Sequence, residues 1–238
     1  MIYSKKQNFV FIKTRKTAGT AIEIALSKYC GSQDILTPLA EEGRMRRIKN
    51  KGPNAQNYRI GLGDFTRRSD YLDVLKLGWR KRRPLFYNHI SALEVRSILG
   101  KKAWLSTFTF CFERNPFDKA RSGYTYFLKE HKKSPSEISF ESFLDFSNMY
   151  VNHPIYCGSN KIPLVEHLGR YENLEEEMRF VENKCGLLPK ALQLKKINVS
   201  GRREKKDVFH WRKHYSHEGR QIVEEKCQWE LDYFGYDF

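Results

Sequence analysis

One stretch, FIKTRKTAGTAIEIAL from Phe11 to Leu26, constrains the fold more than any other. The residues Asn8 to Lys13 (NFVFIK) read as a short buried strand bounded by polar residues. A helix is expected from Thr20, because Ile22, Ala25, Leu26 and Tyr29 recur at helical spacing and share one apolar face, with Gly31 as the stop signal. Between strand and helix, Thr14 to Gly19 form a small-residue loop, and Lys13, Arg15 and Lys16 crowd it with positive charge. Such a junction is a natural oxyanion cradle, since free backbone N–H groups and the positive end of the helix both point at the ligand. Gly19 would allow close backbone approach, and Thr20 would add a hydroxyl donor.

The loop is not an ATP-type P-loop. That motif, G-x-x-x-x-G-K-[ST], places lysine directly after its second glycine. Here Thr20 follows Gly19, the lysine (Lys16) precedes the glycine, and Thr14 stands where the first glycine belongs. The dinucleotide pattern G-x-G-x-x-G is absent as well. An ordinary strand-to-helix turn with solvated lysines is the alternative at this point.

Other segments repeat the strand–helix alternation. Thr107 to Glu113 (TFTFCFE) is an aromatic-rich strand candidate. Asn115-Pro116 then opens a helix to about Lys129, with Asn115 as N-cap and Pro116 at the first helical position. Ser91 and Glu94 form a capping box for a helix to Leu99. Further expectations are a helix over Ser139–Met149, a strand over Leu164–Tyr171, a helix over Asn173–Cys185 ended by Gly186, and a last helix over Ser216–Phe234. Residues 32–84 are read as a loop-rich basic insertion with a short helix near Tyr71–Leu77, carrying Arg44, Arg46, Arg47, Lys81, Arg82 and Arg83. Strands alternating with helices imply α/β architecture over 1–238 as a single domain, with a central parallel sheet flanked by helices.

The formal net charge of +15 calls for an anionic partner. The basic residues fall in separate loops and no nucleic-acid-binding motif occurs, which argues against a nucleic-acid-binding protein. The five cysteines are widely spaced with no CxxC pair, which fits free thiols in a reducing compartment rather than zinc or disulfides. The N-terminus lacks a signal-peptide pattern and no long apolar run occurs, so a cytoplasmic location without a transmembrane segment is expected.

A second motif, Arg114 to Tyr124 (RNPFDKARSGY), joins KTAGT, Lys16 to Thr20. Together, one at each strand-to-helix junction, they resemble the sulfotransferases that use 3′-phosphoadenosine 5′-phosphosulfate (PAPS). RYENL, Arg170 to Leu174, resembles that family's segment beside the adenine, and the C-terminal NVSGRR, HWRKHYS and LDYFGYDF resemble the Golgi-type and bacterial carbohydrate enzymes. The resemblance covers residues 8–30 and 85–238 in outline and omits 32–84.

What the resemblance implies is a P-loop-like phosphosulfate-binding loop and sulfuryl transfer from PAPS to an acceptor hydroxyl, or an amine, leaving 3′-phosphoadenosine 5′-phosphate (PAP). The first loop, Arg15, Thr17, Ala18, Gly19, Thr20 and Ala21, would hold the 5′-phosphosulfate. Arg114 and Ser122 would hold the 3′-phosphate, Tyr171 would lie near the adenine, and the basic loop with Arg202 and Arg203 would cover the 3′-phosphate unless simply solvated. Lys16 is the expected catalytic cation, with Arg15 or Lys13 as substitutes. His89, in FYNHIS, is the expected base, ahead of His153 and of the carboxylate of Glu94. No metal is required. The acceptor implied is a carbohydrate, or else a small polar natural product, and an anionic one would suit the basic insertion. Glu113, beside a phosphate-binding arginine, would have to point away or meet a cation. A nucleotide kinase remains the alternative enzyme.

Overall fold

Phe108–Glu113 (β4) is buried along its whole length. The period of two survives, yet both faces are apolar: Phe108, Phe110 and Phe112 enter one core cluster and Cys111 another. A strand covered by helices on both sides requires this pattern. The adjacent strand β2 (Phe9–Phe11) divides its side chains the same way, with Phe9 and Phe11 on one face and Val10 on the other.

The computed structural model describes residues 1–61, 72, 75, 82–192, 194 and 210–238. Among these, a five-stranded sheet has the order β3-β1-β2-β4-β5, with β1 at Ile2–Ser4, β3 at Ile35–Leu36 and β5 at His167–Arg170. β2, β4 and β5 run parallel, as expected, with Val10 opposite Thr109 and Cys111 opposite Leu168. β1 departs from the all-parallel expectation, running antiparallel to both β2 and β3. It is three residues long and abuts a polar turn, too brief for a periodic signal. Asp34 secures that edge by accepting from the Ser4 hydroxyl at 2.7 Å and the Lys5 N–H at 2.8 Å.

The helices follow their terminal signals. α1 (Gly19–Ser27) follows the cationic loop. α2 (Glu41–Lys49) corrects the loop-rich expectation for 32–84. Its sequence, EEGRMRRIK, lacks an apolar stripe; it carries acid in its first turn and base in its last, which suits the helix dipole. Only Gly43 and Arg47 on it are buried. α3 (Ala92–Leu99) has the expected Ser91–Glu94 capping box, and α4 (Lys101–Leu105) follows. α5 (Pro116–His131) is capped by Asn115, whose side chain accepts from the Phe117 N–H. α6 (Phe140–Phe146), α7 (His153–Tyr156) and α8 (Leu174–Lys184) come next. The expected last helix is two, α9 (His217–Lys226) and α10 (Gln228–Phe234), broken at Cys227. Val223, Cys227, Leu231 and Phe234 nevertheless are all buried, as the periodicity indicates. All five cysteines are free thiols. No helix among the described residues is long and apolar enough to cross a membrane. The expected helix at 71–77 and the basic loop at 200–206 lie outside the described residues, apart from Leu72 and Leu75.

Candidate active site

β2, β4 and β5 point the same way, so the segments that follow them emerge at one end of the sheet, where ligands bind in α/β folds. A cleft of about 580 Å³ opens there. Arg15, Lys16, Ala18, Gly19, Thr20 and Ala21 line it from the first loop, Arg114 and Ser122 from the second junction, and Tyr171 from the end of β5. His89 and Asn88 complete one side, and Glu42 and Arg46 of α2 another.

The loop is held from below. Thr14 donates its hydroxyl to the Phe112 carbonyl and lies 2.7 Å from the Thr17 hydroxyl, both side chains being buried. Thr17 therefore braces the loop from inside; it is fully buried and, contrary to expectation, does not line the cleft. Lys16 and Ala18 both take positive φ, 60° and 59°. This turns the N–H groups of Lys16 through Thr20 away from the protein's own acceptors; none of them donates a hydrogen bond among the described residues. Unpaired N–H groups at a helix start form an anion-binding concavity.

The three cations of the loop have different partners. Lys13 is buried and its Nζ lies 2.8 Å from Glu23 Oε2. Its stem runs beneath Gly19, where an added Cβ would lie 2.7 Å from Lys13 Cγ. The glycine thus accommodates Lys13, whereas the sequence suggested close approach by a ligand. Arg15 is clamped by Asn152, which accepts from its N–H and donates to its carbonyl, each at 3.0 Å, while its guanidinium reaches the Val151 carbonyl. Lys16 has no hydrogen-bond or carboxylate partner for its ammonium among the described residues; the ammonium sits 4.3 Å from the centre of the Tyr126 ring. Burial, and then the charge of Arg114, bring the Lys16 pKa down to about 8.

Arg114 is fixed by Asp118, whose Oδ2 accepts from Nε at 2.9 Å and Nη2 at 2.7 Å, and it donates from Nη1 to the Lys16 carbonyl at 3.1 Å. Its guanidinium lies 4.4 Å from the centre of the Tyr171 ring. Glu113 turns away from this cluster. It is buried against Lys119 Nζ at 2.6 Å and accepts from the Tyr156 hydroxyl at 2.8 Å.

His89 Nδ1 lies 2.9 Å from the Lys13 carbonyl. A carbonyl only accepts, so Nδ1 carries the proton and Nε2 keeps its lone pair. Burial, and then the Lys13 charge, lower the His89 pKa to about 4, so the ring is neutral near pH 7. The other base candidates are engaged elsewhere: His153 Nδ1 faces Glu230 at 3.2 Å, and Glu94 closes the α3 capping box while accepting from Tyr87. Arg202 and Arg203, with Lys205 and Lys206, lie outside the described residues.

Sequence reasoning missed Asn152, Tyr126 and Glu42, while Arg46, named with the basic insertion, does line the cleft. Tyr126 was within reach, one helical turn after Ser122. Asn152, 137 residues from the loop it clamps, gave no local signal.

Comparison with known proteins gives a relative from Archaeoglobus fulgidus, described as an uncharacterized protein. It is 36% identical over 110 residues, 44% of this chain and 88% of that one. The chain belongs to that protein's family. No family model matches the chain. Among solved structures, a sulfotransferase from Alicyclobacillus acidocaldarius aligns over 97% of this chain and 96% of its own, at 16% identity and a TM-score of 0.43. At that score the superposition carries no argument of its own.

Proposed function

We propose that the cleft binds PAPS and that the protein is a sulfotransferase acting on an acceptor hydroxyl. One observation carries this reading. A single cleft gathers a row of unpaired N–H groups, the unpaired Lys16 ammonium, the Arg114–Ser122 pair and a neutral His89. The residues fit the group: the N–H row and Lys16 suit a 5′-phosphosulfate, and Arg114 keeps N–H bonds beyond those given to Asp118 and Lys16 for a 3′-phosphate. Tyr171 offers its ring to the adenine. When bound, PAPS supplies the activated sulfuryl group.

The chain's own groups supply positioning and charge. Lys16 offsets the negative charge that grows on the departing phosphate. His89 Nε2 takes the proton of the acceptor hydroxyl, and the Lys13 carbonyl holds the ring in the tautomer that can do so. The sheet order gives the cleft a polarity. The second motif and Tyr171 follow β4 and β5, on the nucleotide side. α2 follows β3 at the opposite edge, and on this reading Glu42 and Arg46, which line the cleft there, belong to the acceptor side. A carbohydrate acceptor follows from the C-terminal resemblance, and Arg46 suits one that carries an anion.

The test is thermal unfolding with PAP, with ADP and ATP–magnesium as comparators. A ligand that binds only the folded state adds about 2.7 kcal/mol at ~100 times its Kd. Stabilisation specific to PAP and lost in Arg114→Ala is expected. Stabilisation by ATP–magnesium with none by PAP would transfer the loop to a kinase.

A further inference from the structure

We propose that Tyr126 is a positioning residue for Lys16, its ring face holding the ammonium at the mouth of the anion cradle. The ammonium is 4.3 Å from the ring centre, within cation–π range. The neighbours of Lys16 make that contact matter. Arg114 repels it and donates to its carbonyl; Arg15 and Arg46 line the same cleft, as does neutral His89. Glu42 also lines the cleft but lies 3.8 Å from Arg46, and no carboxylate pairs with Lys16 among the described residues. Glu130, on α5, acts on the Tyr126 phenol, which burial and that carboxylate hold above its ordinary range, so the ring stays neutral.

The geometry comes from one helix. Ser122 and Tyr126 stand one turn apart on α5, and both line the cleft. The same face therefore presents a hydroxyl to an anion and an aromatic ring to the cation that must meet it. Tyr126 is 44% exposed, so it contributes little to the core. Its place in catalysis rests on the sulfotransferase reading; the contact itself does not.

The experiment uses the full chain labelled with 13C at the lysine ε-carbons, with the Lys16 signal identified by its absence in Lys16→Arg. Its titration is followed by NMR in the unsubstituted protein, Tyr126→Phe and Tyr126→Leu. The expected midpoint is about 8 in the first, and Tyr126→Phe should match it because the ring face remains. In Tyr126→Leu the midpoint should fall by about half a unit to one unit, with the other lysines unmoved, which a merely structural role would not produce. An unchanged midpoint in Tyr126→Leu, or an equal fall in Tyr126→Phe, overturns the proposal. PAP added to the unsubstituted protein separates the two questions: no stabilisation there sinks the sulfotransferase reading and leaves the titration result standing.

Discussion

Gly19→Ala should cost stability through a contact inside the protein. The new Cβ would lie 2.7 Å from Lys13 Cγ, 3.2 Å from Cε and 3.4 Å from Cδ, whereas carbon atoms in contact prefer about 3.5–4.0 Å. The Lys13 stem cannot swing aside freely, because it is 5% exposed and its ammonium is pinned to Glu23 at 2.8 Å. Overpacking of this kind costs about 1–3 kcal/mol. Against that, Gly19 has no positive φ, so alanine adopts the helical backbone unstrained and returns about 0.4–1 kcal/mol. The net loss is about 1–2 kcal/mol, or roughly 2–8 °C in Tm for a domain of this size. The assay is reversible unfolding of Gly19→Ala in two backgrounds, native and Lys13→Ala. With the Lys13 stem removed the clash disappears, and Gly19→Ala should change sign and stabilise. An equal loss in both backgrounds, or a stabilised single variant, would refute the steric argument. If the glycine instead serves a ligand's approach, Tm stays and PAP affinity disappears.

Two further outcomes follow from buried charge. On the proposed mechanism His89 would act as a base only when neutral and Lys16 as a cation only when protonated, so kcat/KM for sulfuryl transfer should rise as pH climbs through about 4 and fall as it passes about 8; an acid limb at the ordinary histidine value would remove His89 from the base role. Lys119→Met would leave Glu113 and Glu230 buried without their cation, both being fully buried and 2.6 and 3.9 Å from Lys119 Nζ. Denaturant unfolding should register a loss of about 3–5 kcal/mol, and a loss below about 1 kcal/mol would show that the carboxylates had never depended on it.

What was legible in the sequence is what lies close together along it. The Ser91–Glu94 capping box, the Asn115-Pro116 helix start and the two strand-to-helix junctions each depend on neighbours within a turn, and each formed where the residues indicated. β1 and α2 escaped because one is three residues long and the other has no apolar face. The candidate site shows the same division. Lys13, Arg15 and Lys16 were visible as a group of cations beside an anion loop, but their roles depend on partners that the fold delivers from elsewhere. Glu23 takes Lys13, ten residues on. Asn152 and Val151 take Arg15 from 137 and 136 residues away. That leaves Lys16 as the cation whose side chain has no hydrogen-bond partner among the described residues; the KTAGT resemblance singled it out, but its local spacing did not. Asn152 in turn donates its N–H to the carboxylate of Glu230, 78 residues further along, and Glu230 shares Lys119 with Glu113 at the end of β4. The conformation of the loop thus depends on a buried network whose members span most of the chain, and a perturbation at Asn152 should alter the loop through the Arg15 backbone without substituting any of its cations.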